Sequence, residues 1–289
     1  MAIKYLKQKD IDKTKWDNCI DNSINRMIYA KSFYLDIVCQ NWDALIIDDY
    51  TAVMPLPYKS KFGLKYIYHP FFAQQLGLFY TDDKYNNIEL LLKHIPRKFV
   101  KYELSCNHLN TFEGKKIERL NYILKLNKPY NELRKSFNTN TKRNIKKSNT
   151  LLLSRNIDVD EFLDLKKTNN INNLTEDNFK ILKKLFNELT NKKLAEIVGV
   201  KEEGKLVSAA IFVEYGNRII YLFSASNEKG KEKNAMFKIV NSIITENADS
   251  NKKLDFEGSM IEGVARFFKG FGANAEKYFR INSGLKIIR

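Results

Sequence analysis

Asp255 and Glu257 alternate with the apolar Leu254 and Phe256, so on a strand spanning 253–257 both acids point to one face of a sheet. A carboxylate there takes the proton of an attacking amine once burial has raised its own proton affinity. The competing reading has Glu257 in a simple ion pair with Arg266 or Lys269. Ser259 follows, but no histidine stands near it in sequence, so it reads as the N-cap of the next helix rather than a nucleophile. Cys106 and His108 are two ligand types where a structural zinc needs four, and no metal site is expected. The Gly-x-Ser-x-Gly elbow, the phosphate loop ending in Gly-Lys-Ser/Thr and the Rossmann glycine run do not occur, which removes the common hydrolase, kinase and dinucleotide classes.

A second kind of chemistry is electrostatic. The chain carries 49 Lys and Arg against 34 Asp and Glu, a net charge of +15 over 289 residues, and such a field draws anionic partners. Part of that excess follows from a composition rich in Lys, Asn and Ile, so its distribution matters more than its total. Between Lys128 and Arg155 eight basic residues face one acid. Lys142, Arg143, Lys146 and Lys147 among them either track a phosphate backbone or form a solvated helix face. No aromatic interleaves with these cations, so sequence-specific single-strand recognition is not indicated.

These groups need a scaffold. With 44% hydrophobic and 12% aromatic residues the chain has the apolar content of a globular protein, and its length suits two modest domains. Three widely spaced cysteines, Cys19, Cys39 and Cys106, form no disulfide framework and point to a reducing cytoplasm. The N-terminus has no signal-peptide core and no apolar run spans a membrane. Helices are expected near 10–20 and 32–39, strands at 44–48, 50–56, 100–104 and 118–126, and a helix at 86–95. From 131 to 148, Leu133, Phe137 and Ile145 make one narrow apolar stripe on a single helix. A strand at 151–156 and helices at 159–167 and 176–191 precede three strands, 195–200, 206–214 and 218–226, joined by turns at Glu203-Gly204 and Tyr215-Gly216-Asn217. The third of these is apolar on both faces and belongs in the middle of a covered sheet. A helix bearing Met236, Ile239, Val240, Ile243 and Ile244, the strand 253–257, a helix over 261–269 ending at Gly270, and a strand at 276–281 complete the chain.

The run Asp255-Phe256-Glu257-Gly258-Ser259 followed by Val264-Ala265-Arg266-Phe267-Phe268-Lys269-Gly270-Phe271-Gly272-Ala273 resembles the end of the Fem aminoacyl- and peptidyltransferases, the methicillin-resistance type, and of related GNAT-like acyltransferases. Thr141 to Lys147 looks like the basic signature opening their second lobe. The resemblance spans most of 121–289 and reaches the first lobe only through its length and α/β order. It implies an α/β fold of two GNAT-like lobes, each a central mixed sheet flanked by helices, with boundaries at 1–120 and 121–289. The coiled-coil arm of some members has no counterpart here.

The same resemblance implies an acyl or aminoacyl transfer from an activated ester or thioester to an amine, with a peptidoglycan precursor or a small molecule as acceptor. The donor is acyl-coenzyme A or aminoacyl-tRNA, with no permanently bound cofactor. In this arrangement the strand 218–226, with Phe223 and Ser224, splays from 253–257 and leaves backbone groups for the donor. The turn Gly230, Lys231 to Asn234 is then the anion seat at a helix start. That turn holds Gly230 alone, not the glycine-rich loop of coenzyme A enzymes. Lys269 matches the lysine that Fem enzymes hold beside the reacting ester, where it steadies an oxyanion or draws a phosphate. Phe268 is placed to stack on a terminal base beside Gly270, although its spacing with Ile261 and Ala265 also makes it core. The rival reading is a nucleic-acid or anion-binding module that keeps the fold and lacks the reaction.

Overall fold

The computed structural model describes residues 1–168, 173–258 and 262–283. The chain divides into two compact units, one formed by Met1–Leu120 with Lys277–Arg289 and one by Asn121–Glu276. The last strand of the chain therefore ends in the first unit, and the second does not extend to 289 as the sequence suggests. The register explains this, because Phe279, Arg280 and Ile281 pair with Cys106, Ser105 and Leu104.

In the first unit β1 (Ile3–Leu6), α1 (Lys13–Asn22), α2 (Ser32–Val38), β2 (Trp42–Ile47), β3 (Ala52–Lys61), β4 (Leu64–Ile67), β5 (Phe79–Tyr80), α3 (Ile88–Lys93) and β6 (Phe99–Cys106) follow in order. The sheet runs β1-β2-β3-β4-β6, then residues 277–282, with β5 on β3. Among the described strands of this unit only β4 and β6 pair in parallel. Alternation on β2 sends Leu45 and Ile47 into a core with Met54, Leu56, Leu91 and Phe99. Trp42, of opposite parity, meets Trp16 of α1 with ring centroids 5.0 Å apart, and the Trp16 indole N–H donates to the Ala30 carbonyl at 2.7 Å. Asp12 starts α1 by accepting from the Thr14 and Lys15 N–H groups, the usual role of an acidic N-cap. All three cysteines are buried and free.

His69 in this unit gives the fold a pH dependence. Its Nε2–H donates to the Ala73 carbonyl at 2.5 Å and its Nδ1 accepts from the Ser105 N–H at 3.4 Å, which assigns the neutral tautomer. Burial holds its pKa down at about 4 from 6.5, with Arg280 adding to the shift. The unfolded chain thus binds more protons than the folded one between those values, and stability falls as pH drops through that window. The loss expected for this partly exposed ring is about 2 kcal/mol. Urea midpoints between neutral pH and about pH 4 should show a flatter acid limb for His69→Gln; an unchanged limb would contradict the assignment.

β7 (Ile117–Lys125) leads into the second unit, which contains α4 (Tyr130–Lys135), α5 (Thr139–Lys147), β8 (Leu153–Ser154), α6 (Val159–Thr168), α7 (Glu176–Asn191), β9 (Ala195–Glu202), β10 (Lys205–Tyr215), β11 (Arg218–Ser226), α8 (Glu228–Glu232), α9 (Ala235–Glu246), β12 (Lys253–Asp255) and α10 (Glu262–Gly270), before β13 (Asn274–Asn282). Its strand order is β7-β12-β11-β10-β9-β8. β9, β10 and β11 form an antiparallel meander, the first turn made by Glu203 and Gly204, both at positive φ, as a tight hairpin demands. Among the described residues no helix is long and apolar enough to cross a membrane.

The expected single helix over 131–148 is two. Ser136 C-caps α4 and Asn138 N-caps α5 by accepting from Thr141 N–H at 2.8 Å. Phe137 between them is 2% exposed and meets Phe271 edge-on at 5.4 Å. An asparagine cap plus an inward aromatic stops one helix and starts the next.

Candidate functional site

β12 pairs with β11 over only three positions, Arg218↔Lys253, Ile219↔Leu254 and Ile220↔Asp255, while β11 continues to Ser226. Just past that point the register between β10 and β11 jumps: Ile211 faces Phe223 and Phe212 faces Tyr221, which leaves Leu222 as an extra residue. A bulge of this kind bends its strand and increases the local twist. It also changes side-chain parity. Tyr221 lies against Phe256 and Phe268 at 6.1 and 6.0 Å, whereas Phe223 meets Phe186 of α7 at 5.8 Å. The strands therefore part after Ile220.

The residues singled out from sequence gather unevenly around this opening. Asp255 is 0% exposed and is held by Arg218 through Oδ2, while its Oδ1 accepts from Glu257 N–H at 2.8 Å. Both oxygens are committed, so Asp255 is a structural anion and not an amine-facing base. Glu257 is not on the strand: β12 ends at Asp255 and Glu257 has φ 56°, so the expected sharing of one face fails. Its carbonyl instead accepts from Tyr122 N–H at 3.3 Å. Lys269 is exposed on α10 with Nζ 5.5 Å from the Tyr122 ring centroid, a cation–π distance. Tyr122 thus joins Lys269 to the end of β12. Ser259 and Ile261 lie outside the described residues.

Phe268 is 4% exposed and stacks on Phe256 at 4.9 Å, and Tyr122 and Tyr221 crowd it further. It is core, and no face is left for a base. Gly270 packs α10 against α5, where a Cβ would lie 2.4 Å from Thr141 Oγ1, and its carbonyl accepts from Asn138 N–H at 3.0 Å. Phe223 and Ser224 do lie on the stretch of β11 beyond its pairing with β12.

The anion seat expected over 230–234 is occupied by the protein itself. These residues fold into the short α8, whose cap Asn227 accepts from Gly230 N–H at 3.0 Å. The N–H groups of Lys231, Lys233 and Asn234 donate to the carbonyls of Asn227, Lys229 and Lys231. Lys231 pairs with Glu228 at 2.7 Å. Gly230 is required for packing, because a Cβ there would fall 2.2 Å from the Val207 carbonyl oxygen. Asn234, at φ 57°, begins α9 without a side-chain cap.

Sequence reasoning missed a cavity of about 590 Å3 lined by Asn138, Asn140, Thr141 and Asn144 of α5 and its cap, Phe237 of α9, and Gly263, Arg266 and Phe267 of α10. The signal was legible as an uncharged polar stripe, Asn140 to Asn144 with Thr141, on a helix otherwise rich in Lys and Arg. Among the described residues no acid lines the cavity. Among the described residues the Arg266 side chain has no carboxylate partner. Arg143 donates to Asn140 Oδ1 at 2.8 Å, Lys142 to the Lys135 carbonyl, and Lys146 and Lys147 are exposed. Lys166 of α6 was also overlooked. It is 7% exposed, donates to the Ser224 carbonyl at 3.1 Å, and burial lowers its pKa.

The fold is GNAT/FemX-like. A crystal structure of FemX superposes with a TM-score of 0.71 at 13% identity, covering 96% of this chain and 97% of that one. A tandem GNAT protein from the clavulanic acid biosynthesis pathway gives 0.57 at 8% identity over 98% of each chain. L-PGS from Bacillus licheniformis gives 0.54 at 9% identity, covering 93% of this chain and 90% of that one. No family model and no curated protein matches the sequence. The chain therefore has a mixed α/β sheet with flanking helices, a fold it shares with FemX and a tandem GNAT protein at low identity.

Proposed function

We propose that the protein is an aminoacyltransferase that uses charged tRNA as donor and an amine of a cell-wall precursor as acceptor, with each unit a GNAT-like lobe and the reaction in the cytoplasm. The observation that carries this reading is the opening of β11 after Ile220, with the Leu222 bulge beside it. Backbone groups released from sheet pairing there offer hydrogen bonds to an extended acyl donor. The amine nitrogen attacks the ester carbonyl carbon; the C–N bond forms, the C–O bond to the ribose breaks, and the amine proton passes to the ribose oxygen. Lys269 steadies the oxyanion during this step, and Glu257, in the turn that follows β12, relays the proton.

Charged tRNA is favoured over acyl-coenzyme A by the same region. Coenzyme A needs a seat for its pyrophosphate, and the N–H groups of 230–234 are already satisfied by α8. The acid-free cavity at Arg266 instead suits the sugar and phosphate of a nucleotide end, with the carboxamides of Asn138, Asn140 and Asn144 as hydrogen-bond partners. The exposed Lys146 and Lys147 on the same helix extend that surface for a phosphate backbone. Transfer of labelled aminoacyl groups from charged tRNA, and of acetyl groups from acetyl-coenzyme A, to a panel of amines tests it. Turnover with charged tRNA is expected. Tight, salt-sensitive tRNA binding without turnover would identify a binding module, and turnover with the thioester alone would overturn the donor.

A further inference from the structure

The first unit holds a second cavity of about 600 Å3 that the transfer reading does not use. Five lysines line it, Lys7, Lys9, Lys13, Lys65 and Lys98, against a single acid, Asp43. Two of the five are matched. Lys13 pairs with Asp36 at 2.6 Å and Lys98 with Asp43 at 3.2 Å. Among the described residues no carboxylate pairs with Lys7, Lys9 or Lys65, and the Lys65 ammonium instead lies 5.0 Å from the Tyr58 ring centroid.

The floor beneath these cations is rigid. Asp43 is 2% exposed and accepts from Tyr5 Oη–H, from Lys98 Nζ and, at 3.0 Å, from Gln8 N–H. The Gln8 carboxamide donates to Asp36 at 3.0 Å, so both matched lysines hang from one hydrogen-bonded network. Lys98 also sits 4.7 and 4.9 Å from the rings of Tyr5 and Phe99. Asp43 is thereby saturated and neutralised, and it neither repels an incoming anion nor offers an acceptor to a ligand hydroxyl. Three ammonium groups without a carboxylate partner remain around a preformed space, and a compact anion of similar charge lowers their mutual repulsion.

We propose that this cleft is a binding site for a compact, multiply charged phosphate anion of the diphosphate class. A diphosphate carries roughly three negative charges near neutral pH, matching the three free lysines, where a monophosphate carries about 1.5 to 2. Tyr58 is already engaged by the ammonium groups of Lys65 and Lys98, 5.0 and 6.0 Å from its ring centroid, and by Phe99 at 5.4 Å, so the site is read as one for charge and not for a stacked base. The proposal concerns the first unit alone and stands or falls apart from the transfer reaction.

Calorimetric titration of the full chain with inorganic pyrophosphate, with ADP and with inorganic phosphate at matched ionic strength tests it. Saturable binding of pyrophosphate or ADP at one site, at least about tenfold tighter than phosphate, is expected. Binding of pyrophosphate alone points to a free anion, and comparable binding of ADP to a diphosphate ester. The triple variant Lys7→Gln, Lys9→Gln, Lys65→Gln should weaken it about tenfold or more, whereas Lys4→Gln with Lys101→Gln, exposed in the same unit and outside the cleft, should leave it within about twofold. Failure of both diphosphates to saturate, or equal weakening by the two variants, would overturn the site and leave only the general positive field.

Discussion

Replacing Lys269 with alanine is expected to lower the aminoacyl transfer rate about 10²- to 10³-fold while leaving the fold in place. The side chain is exposed and its recorded contact is the Tyr122 ring, so its loss should change stability by no more than about 0.5 kcal/mol. Rate and stability therefore separate at this position. The kinetics also decide between two roles. A cation that steadies the oxyanion acts only in the transition state, and its removal lowers kcat with little change in KM; one that merely draws a donor phosphate raises KM and spares kcat. Lys269→Arg retains a cation on a different stem and should recover part of the lost rate. Single-turnover transfer with the three proteins, alongside their unfolding midpoints, measures all of this, and an unchanged kcat in Lys269→Ala would remove Lys269 from the chemistry.

Arg218→Met should have the largest effect on folding, about 3 to 5 kcal/mol. Arg218 is 4% and Asp255 0% exposed, and the two form an ion pair in the sheet interior, with Glu276 Oε2 a further 3.7 Å from the guanidinium. Removing the arginine leaves the Asp255 charge buried without its main partner. Out of a total stability of roughly 5 to 15 kcal/mol, such a loss moves the guanidinium midpoint far. Exchanging both members, Arg218→Met with Asp255→Leu, removes the stranded charge as well and should cost clearly less than the single change. A single variant within about 1 kcal/mol of the wild type would mean that the pair is not buried as described. This pair also bears on the opening, because Asp255 stands at the last paired position of β12, opposite Ile220.

The regular parts of the second unit were legible in the sequence. α7 spans Glu176–Asn191, the bounds expected for it, and the meander β9 to β11 follows from two glycine-containing turns. What failed to show were single-residue events. Leu222 sits in a strand apolar on both faces, so an inserted residue breaks no alternation and leaves no trace in the pattern. Glu257 looked like a strand residue because Leu254 and Phe256 flank Asp255, yet the strand ends at Asp255 and the chain turns through positive φ at Glu257. The pairing of Asp255 with Arg218, distant in sequence, follows from strand order and not from any local spacing. Two misses were avoidable: Asn227, three residues before Gly230, is an N-cap signal that already argues for a closed α8, and Asn138 marks the break between α4 and α5 in the same way.

The central claim is that β11, beyond its last pairing with β12, receives an activated carbonyl. A crystal structure of the protein with a stable amide analogue of 3′-aminoacyl-adenosine tests it most directly. The account predicts the amide within hydrogen-bonding reach of the backbone of Tyr221–Ser226 and the adenosine toward the Arg266 cavity. An analogue bound elsewhere, or a strand opening found filled by the protein's own side chains, would contradict it.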